Sequence, residues 1–338
     1  MRLFTWICTL SLLALSSAAM AQDVKFETVL DGLDNPCGVA VHPKTGTVYV
    51  SDSGAGKILR IVKGKAEDVV VGFKTDIYGK GPMYNIGPLG LAFWGEDTLV
   101  VGGGDLIDGE EKIRFFTLPP EGSPPAKVTD AVKEFNLPAT ADLKAEGNFY
   151  ALAVLPDGVV ATSNGDDTKG WLVKVKVAGK EIGPFERFIA TKEATSVDAP
   201  VGITVGPKGE LVVGQMGEIS VPKDGLLTFY NPKDGKMLMN MPTGLYDITA
   251  LAYGKKTPNQ LYALDYAWMK ADEGGLFQLI NKTEGGKSTV TAKKLASLDK
   301  ATSMAFGADG SLYVTVIGTG KEGDAKKPGK LLKAAPGL

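Results

Sequence analysis

Histidine is almost absent from this chain. His42 is alone in 338 residues, and only two cysteines, Cys8 and Cys37, accompany it. That scarcity excludes a structural zinc site of the usual Cys/His kind, which draws four ligands from those residues. A Ser-His-Asp triad would have to use His42, and no nucleophile elbow is present. Because His42 stands before Pro43, it is expected as a turn residue with an exposed ring. After the first fifteen residues no apolar run approaches the roughly 18 that a spanning helix requires. An excess of charge is lacking too, so neither nucleic acid nor an anionic membrane surface is expected as a partner.

What is present begins with a leader. Arg2 supplies a positive start, Leu3 to Leu15 a short apolar core, and Ala19-Met20-Ala21 a small-x-small cleavage site. Residues 1–21 are therefore expected to be a signal peptide cleaved after Ala21, with residues 22–338 a single exported domain, periplasmic or secreted. Cys8 leaves with the leader, so Cys37 has no intrachain disulfide partner. With Arg2 removed, 36 basic residues face 39 acidic ones. A soluble monomer is expected.

The chain is organised by repetition. A quartet of small, aliphatic, Ala or Thr, then bulky apolar residues reads GVAV at Gly38, GLAF at Gly90, ALAV at Ala151, GITV at Gly202, ALAY at Ala250 and SMAF at Ser303. A turn and a second apolar run follow each quartet, as in TVYVSD at Thr47 and SLYVTV at Ser311. Self-similarity at a period near 50 residues marks a propeller or repeat array. Short β-branched runs punctuated by 43 glycines and 19 prolines read as strands and turns. The expected fold is all-β: a six-bladed β-propeller of four-stranded blades, with strands near 37–42, 47–51, 57–62 and 67–73 in blade one. The small quartet residue lies where innermost strands crowd around the axis. After SMAF the chain ends one strand short, so VKFETVL at Val24 to Leu30 is expected to complete the last blade and leave no open edge.

VAVHPKTGTVYVSDSGAGKILRI resembles an NHL-type blade, and the sixfold series is similar to the six-bladed propellers that include senescence marker protein/gluconolactonase enzymes and strictosidine synthase-like proteins. That superfold hosts hydrolases, dehydrogenases and binding modules, so the resemblance fixes shape more firmly than activity. Quinoprotein sugar dehydrogenases share the shape, but the resemblance implies a catalytic histidine near the central ligand, and no second histidine can fill it. The gluconolactonase cage, as the resemblance implies, combines one Glu, two Asn and one Asp.

Three residues before each quartet stand Asn35, Gly87, Asn148, Ala199, Asp247 and Lys300. Asn35, Asn148 and Asp247 would be related by near three-fold symmetry and offer oxygens to a calcium ion; the plain alternative is that they cap turns. Asp105 to Glu111 and Asn164 to Asp167 read as solvated acidic loops. The long connections Thr75 to Pro88, Met216 to Asp224 and Ala267 to Gly274 bring Tyr78, Tyr84, Asn85, Tyr246, Asp265 and Trp268 to one end of the ring, as a candidate ligand-binding mouth. Two functions follow: a non-catalytic module binding a protein, peptide or glycan through its loop face, or a calcium-dependent hydrolase of the lactonase kind with the metal in the central channel.

Overall fold

A computed structural model describes residues 23–79, 83–164, 169–285, 287–317 and 328–338. The expected leader lies outside them, as do Asp166 and Asp167.

The six quartets lie on the innermost strands of six sheets, each with four main antiparallel strands that follow one another along the chain except in the last. In blade one the strands are Pro36–Val41, Val48–Asp52, Lys57–Val62 and Lys65–Val71. Ala126–Lys127 adds a short fifth, parallel to the outermost. The later innermost strands are Pro88–Trp94, Phe149–Leu155, Pro200–Val205, Ile248–Tyr253 and Ala301–Phe306. Blade six has only three strands of its own, and Phe26–Asp34 pairs antiparallel with Pro328–Ala334 as its outermost, matching Phe26 to Ala334 and Asp34 to Pro328. The ring is closed by its own first strand.

Crowding at the axis explains the small quartet residue. A methyl group on Gly38 would lie 2.2 Å from the Leu89 carbonyl oxygen, and one on Gly90 would lie 2.5 Å from that of Tyr150. Successive innermost strands touch through backbone there. Farther out the sheets splay, and larger side chains fill the wedges between neighbours. One apolar cluster occupies each of the six interfaces, for example Ile58, Val70 and Phe73 against Leu99 and Phe116 between blades one and two. Another, with Leu33, Val50 and Leu331, seals the junction of blades six and one. At about 25 cal/mol per Å² of apolar surface removed from water, these wedges carry the fold without a disulfide.

Two expectations change here. The His42 ring is buried, not exposed: it lies edge-on to Phe93 at 4.9 Å, its Nε2 is 2.7 Å from the Glu96 carbonyl oxygen, and its Nδ1 accepts from the Lys44 and Thr45 amides. The turn needs an acceptor inside it, and a neutral imidazole supplies one while bridging to blade two. The 105–111 segment is likewise not simply solvated. Asp105 is buried in a two-fold bond to Arg114, both contacts at 3.0 Å, and Glu111 is buried as well. Alternating charge in sequence did not reveal that Arg114, on the next strand, turns inward to meet Asp105.

Candidate axial site

Every innermost strand begins with an irregularity. A register shift of the bulge kind interrupts its pairing with the second strand in all six blades, as between Pro36 and Gly38 or Ala301 and Ser303. Three residues before the quartet, Asn35, Asn148, Ala199 and Lys300 adopt positive φ near 50°. Asn visits that region at least cost among residues with a side chain, which gives the two asparagines a backbone reason for their places.

Buried acceptors fasten these starts. Asn148 donates its amide to Glu111 Oε2 at 2.7 Å, Asp247 to Asp265 Oδ1 at 2.8 Å, Ala199 to Asp198 Oδ1 at 2.7 Å and Gly87 to Ser53 Oγ at 2.7 Å. In blade one Asp34 donates to Asp52 Oδ1 at 2.7 Å. Burial lifts the pKa of these acids, to about 9 for Glu111, about 7 for Asp247 and about 6 for Asp52, with the backbone amides opposing it in each case. Asp265 also rises through burial, against three amides that favour its charged form. These carboxylates hold backbone; they do not face a ligand.

The bulge and the left-handed turn break simple alternation, and the ring of side chains that meets at the axis is the one immediately before each quartet. Cys37, Leu89, Tyr150, Val201, Thr249 and Thr302, one from each blade, line an axial cavity of about 660 Å³ including its mouth. A second tier comes from residues just past the second strands: Asn164, Met216, Tyr266 and Ile317. The hairpin Asp76–Tyr78 with Tyr84–Ile86 and the indole of Trp268 complete the wall. Tyr84 and Tyr266 stand edge-on and tilted against Trp268, with ring centres 6.2 and 5.3 Å away.

Tyr150 forms the floor. It reaches from blade three to blade six, on the far side of the ring, and donates its hydroxyl to the Thr302 carbonyl at 2.9 Å. Beneath it the quartet residues of all six blades, among them Val39, Gly90, Ile203, Ala250 and Ser303, line a second void of about 60 Å³. One phenol thus divides the channel.

The residues singled out by sequence separate in space. Tyr78, Tyr84, Trp268 and Asn148 share the axial cavity. Tyr246 and Asp265 border a different, open hollow, where Tyr246 donates to Glu273 Oε1 at 2.9 Å. Asn85 is exposed, and its carbonyl accepts from Asn35 Nδ2 at 3.0 Å. Sequence reading did not single out Tyr150, Tyr266 or Lys300. Lys300 Nζ donates to the Tyr84 hydroxyl at 2.9 Å and lies 5.6 and 5.9 Å from the Tyr84 and Tyr266 ring centres. Position immediately before the quartet was the signal that would have found Tyr150.

Calcium seeks about six to eight oxygens, several of them carboxylate, and the three proposed donors do not fit it. Of the three only Asn148 lines the cavity; Asn35 is tied through its Nδ2 to the Asn85 carbonyl, Asp247 through Oδ2 to the Trp268 amide, and among the described residues no carboxylate lines the cavity wall. Among the described residues no group of three or more His, Cys, Asp or Glu side chains is placed to hold a metal ion. His42, in the turn after the first strand, sits at the opposite end of the blade from the cavity mouth.

No protein-family model matches the sequence, and no curated protein matches it. Solved structures do. A PQQ-bound aldose sugar dehydrogenase from Streptomyces coelicolor is 16% identical with a TM-score of 0.59, covering 93% of this chain and 100% of its own. A gluconolactonase from Xanthomonas campestris is 15% identical with a TM-score of 0.57, covering 94% and 92%. A luciferin-regenerating enzyme is 11% identical with a TM-score of 0.60, covering 93% and 96%. The chain has the six-bladed propeller fold that gluconolactonase-like and sugar-dehydrogenase structures share.

Proposed function

We propose that this chain works on a small molecule held in the axial cavity, and that its reaction is hydrolysis of a cyclic ester of the lactone kind. The observation that carries the reading is the cavity itself: a walled space on the ring axis, aromatic on its sides, with a phenol-ammonium pair at its edge. Protein or glycan docking on the loop face would need no such interior. A gluconolactonase among the structures of the same fold supports the chemistry.

The wall can polarise an ester carbonyl. Tyr84 accepts a bond from Lys300 and so keeps its own O–H to donate; burial raises the Tyr266 phenol well above its ordinary pKa, keeping it a donor too. Water adds to the carbonyl carbon, the acyl–oxygen bond breaks, and the ring opens to a hydroxy acid. Donors aimed at the developing oxyanion are worth about 10²–10³ each in rate. Among the described residues no carboxylate or imidazole lines the cavity to take the proton from water, and this favours a second reading in which the cavity binds its ligand unchanged.

The test is proton release from glucono-δ-lactone and δ-valerolactone followed in a pH-stat. Hydrolysis above the buffer rate, reduced about 10²-fold in Tyr84→Phe, is expected. A rate equal to buffer overturns the hydrolase reading. Export belongs to the same proposal, and N-terminal sequencing of the mature protein should begin at Gln22.

A further inference from the structure

We infer that the axial cavity recognises a small acid, with one carboxylate seated among Lys300, Tyr84 and Tyr266 and an N–H or O–H farther along given to Asn164. The inference rests on the axial cavity being the working site, and not on hydrolysis taking place there.

Lys300 is the first ground. The residue is half-buried, and its ammonium lies near two rings that line the cavity and has the Tyr84 hydroxyl as its hydrogen-bond partner. No ion pair joins it to a carboxylate among the described residues. The bond to Tyr84 uses one of its three N–H groups, and an acceptor of opposite charge is the natural partner for the others. Of the six equivalent positions, Asn35, Gly87, Asn148, Ala199, Asp247 and Lys300, this one alone is cationic.

Two orphaned atoms are the second ground. Among the described residues, Tyr266 is 3% exposed and its hydroxyl makes no well-formed hydrogen bond, standing close to the Tyr84 hydroxyl; Asn164 is 8% exposed and its Oδ1 has no partner. Both residues line the cavity. A buried polar atom left unmet is costly, and such atoms in a wall call for a ligand that supplies their partners. Tyr266 beside Lys300 and Tyr84 makes a cluster of donors with no carboxylate among the described residues of the cavity wall, which selects for negative charge. Asn164 Oδ1, an acceptor, selects for a donor at the other end. The aromatic sides and the Tyr150 floor suit a compact ring between them. Lys300 stands behind the Tyr84 and Tyr266 rings at the edge of the cavity, and among the described residues no arginine lines the wall, which matches a single carboxylate and not a phosphate ester.

The experiment uses shape-matched pairs that differ in charge: benzoate with benzamide and cyclohexanecarboxylate with its carboxamide, alongside D-gluconate with D-glucose. Binding is read by calorimetry and by the rise in melting temperature at 10 mM ligand, since a molecule that binds only the folded state stabilises it. At least one acid is expected to bind at least tenfold more tightly than its neutral partner, and to lose at least tenfold in Lys300→Met; Asn164→Ala should weaken only acids that carry a donor. Lys300→Gln serves where the Met variant does not fold. Equal binding of acid and neutral partner, acid binding that persists in both Lys300 variants, or no acid bound at 10 mM each overturns the inference. If lactones are hydrolysed while acids fail, the lactone reading stands alone; if acids bind while lactones remain intact, the acid site stands alone.

Discussion

Glu111 offers the sharpest test of how the axial site is held in place. Its Oε2 accepts the Asn148 amide at 2.7 Å, and Gly147 is obligatory beside it, because a methyl group there would lie 1.2 Å from that oxygen. Burial, reinforced by Asp108, Asp105 and Asp76 and opposed by the Asn148 amide, lifts its pKa from 4.5 to about 9. The folded state therefore holds a proton that the unfolded chain releases. Stability from this group is complete below about 4.5 and is lost as pH climbs to 9. Asp52 and Asp247, near 6 and 7, lose most of theirs lower down, so the interval from pH 7 to 9 belongs mainly to Glu111. One proton across two pH units is worth about 2–3 kcal/mol, or roughly 3–5 °C in melting temperature for a domain of this size. Glu111→Gln keeps the acceptor for Asn148 and removes the charge. Thermal melts at half-unit intervals should show the wild type falling across that window and the variant nearly flat. Parallel lines for the two proteins would refute the assignment of a buried, protonated Glu111.

Three further outcomes are expected. Deleting Phe26–Asp34 removes a whole ladder with Pro328–Ala334 and the buried Leu33; at about 1 kcal/mol per hydrogen bond and about 2 for the leucine, urea unfolding should show a loss of at least about 5 kcal/mol, and an unchanged midpoint would contradict ring closure. Gly90→Val places a branched side chain where even a methyl would meet the Tyr150 carbonyl at 2.5 Å, and the variant should lose its cooperative melt; retention of the wild-type transition would show that the innermost strands do not crowd. Tyr150→Phe removes the bond to the Thr302 carbonyl and should cost about 1–3 kcal/mol, while Tyr150→Ala should join the two axial voids and admit longer ligands than the wild type, seen as a changed chain-length preference in calorimetry.

The sixfold frame was legible in the amino-acid sequence because its cause is local and steric: at Gly38 and Gly90 a would-be methyl meets the next backbone at 2.2 and 2.5 Å, the other innermost strands leave room for no more than Ala or Ser, and that leaves a periodic mark. The closing strand was legible by counting. The axial site was only half legible. Tyr78, Tyr84, Trp268 and Asn148 were found through loop length and register, but Asn35 and Asp247 stand two residues before the ring position that faces the axis. Their side chains are engaged by the Asn85 carbonyl and by the Trp268 amide, and a bulge between them and the quartet sets which residue faces inward. Tyr150, Val201 and Thr249 hold that position with unlike side chains, so no shared residue type announces it. Lys300 faces the site through contacts with Tyr84 and Tyr266 that are distant in the chain, and no spacing rule anticipates them.

Because Phe26 meets Ala334, the earliest and latest portions of the polypeptide share one ladder. A nascent chain can form five blades as it emerges, but it cannot latch the circle until Pro328–Ala334 has been made, and the final step is the long-range one, whose loop entropy is met last. The same seam is where mechanical opening would start, since the four main strands of every other blade come from neighbouring segments and this ladder joins segments about 300 residues apart.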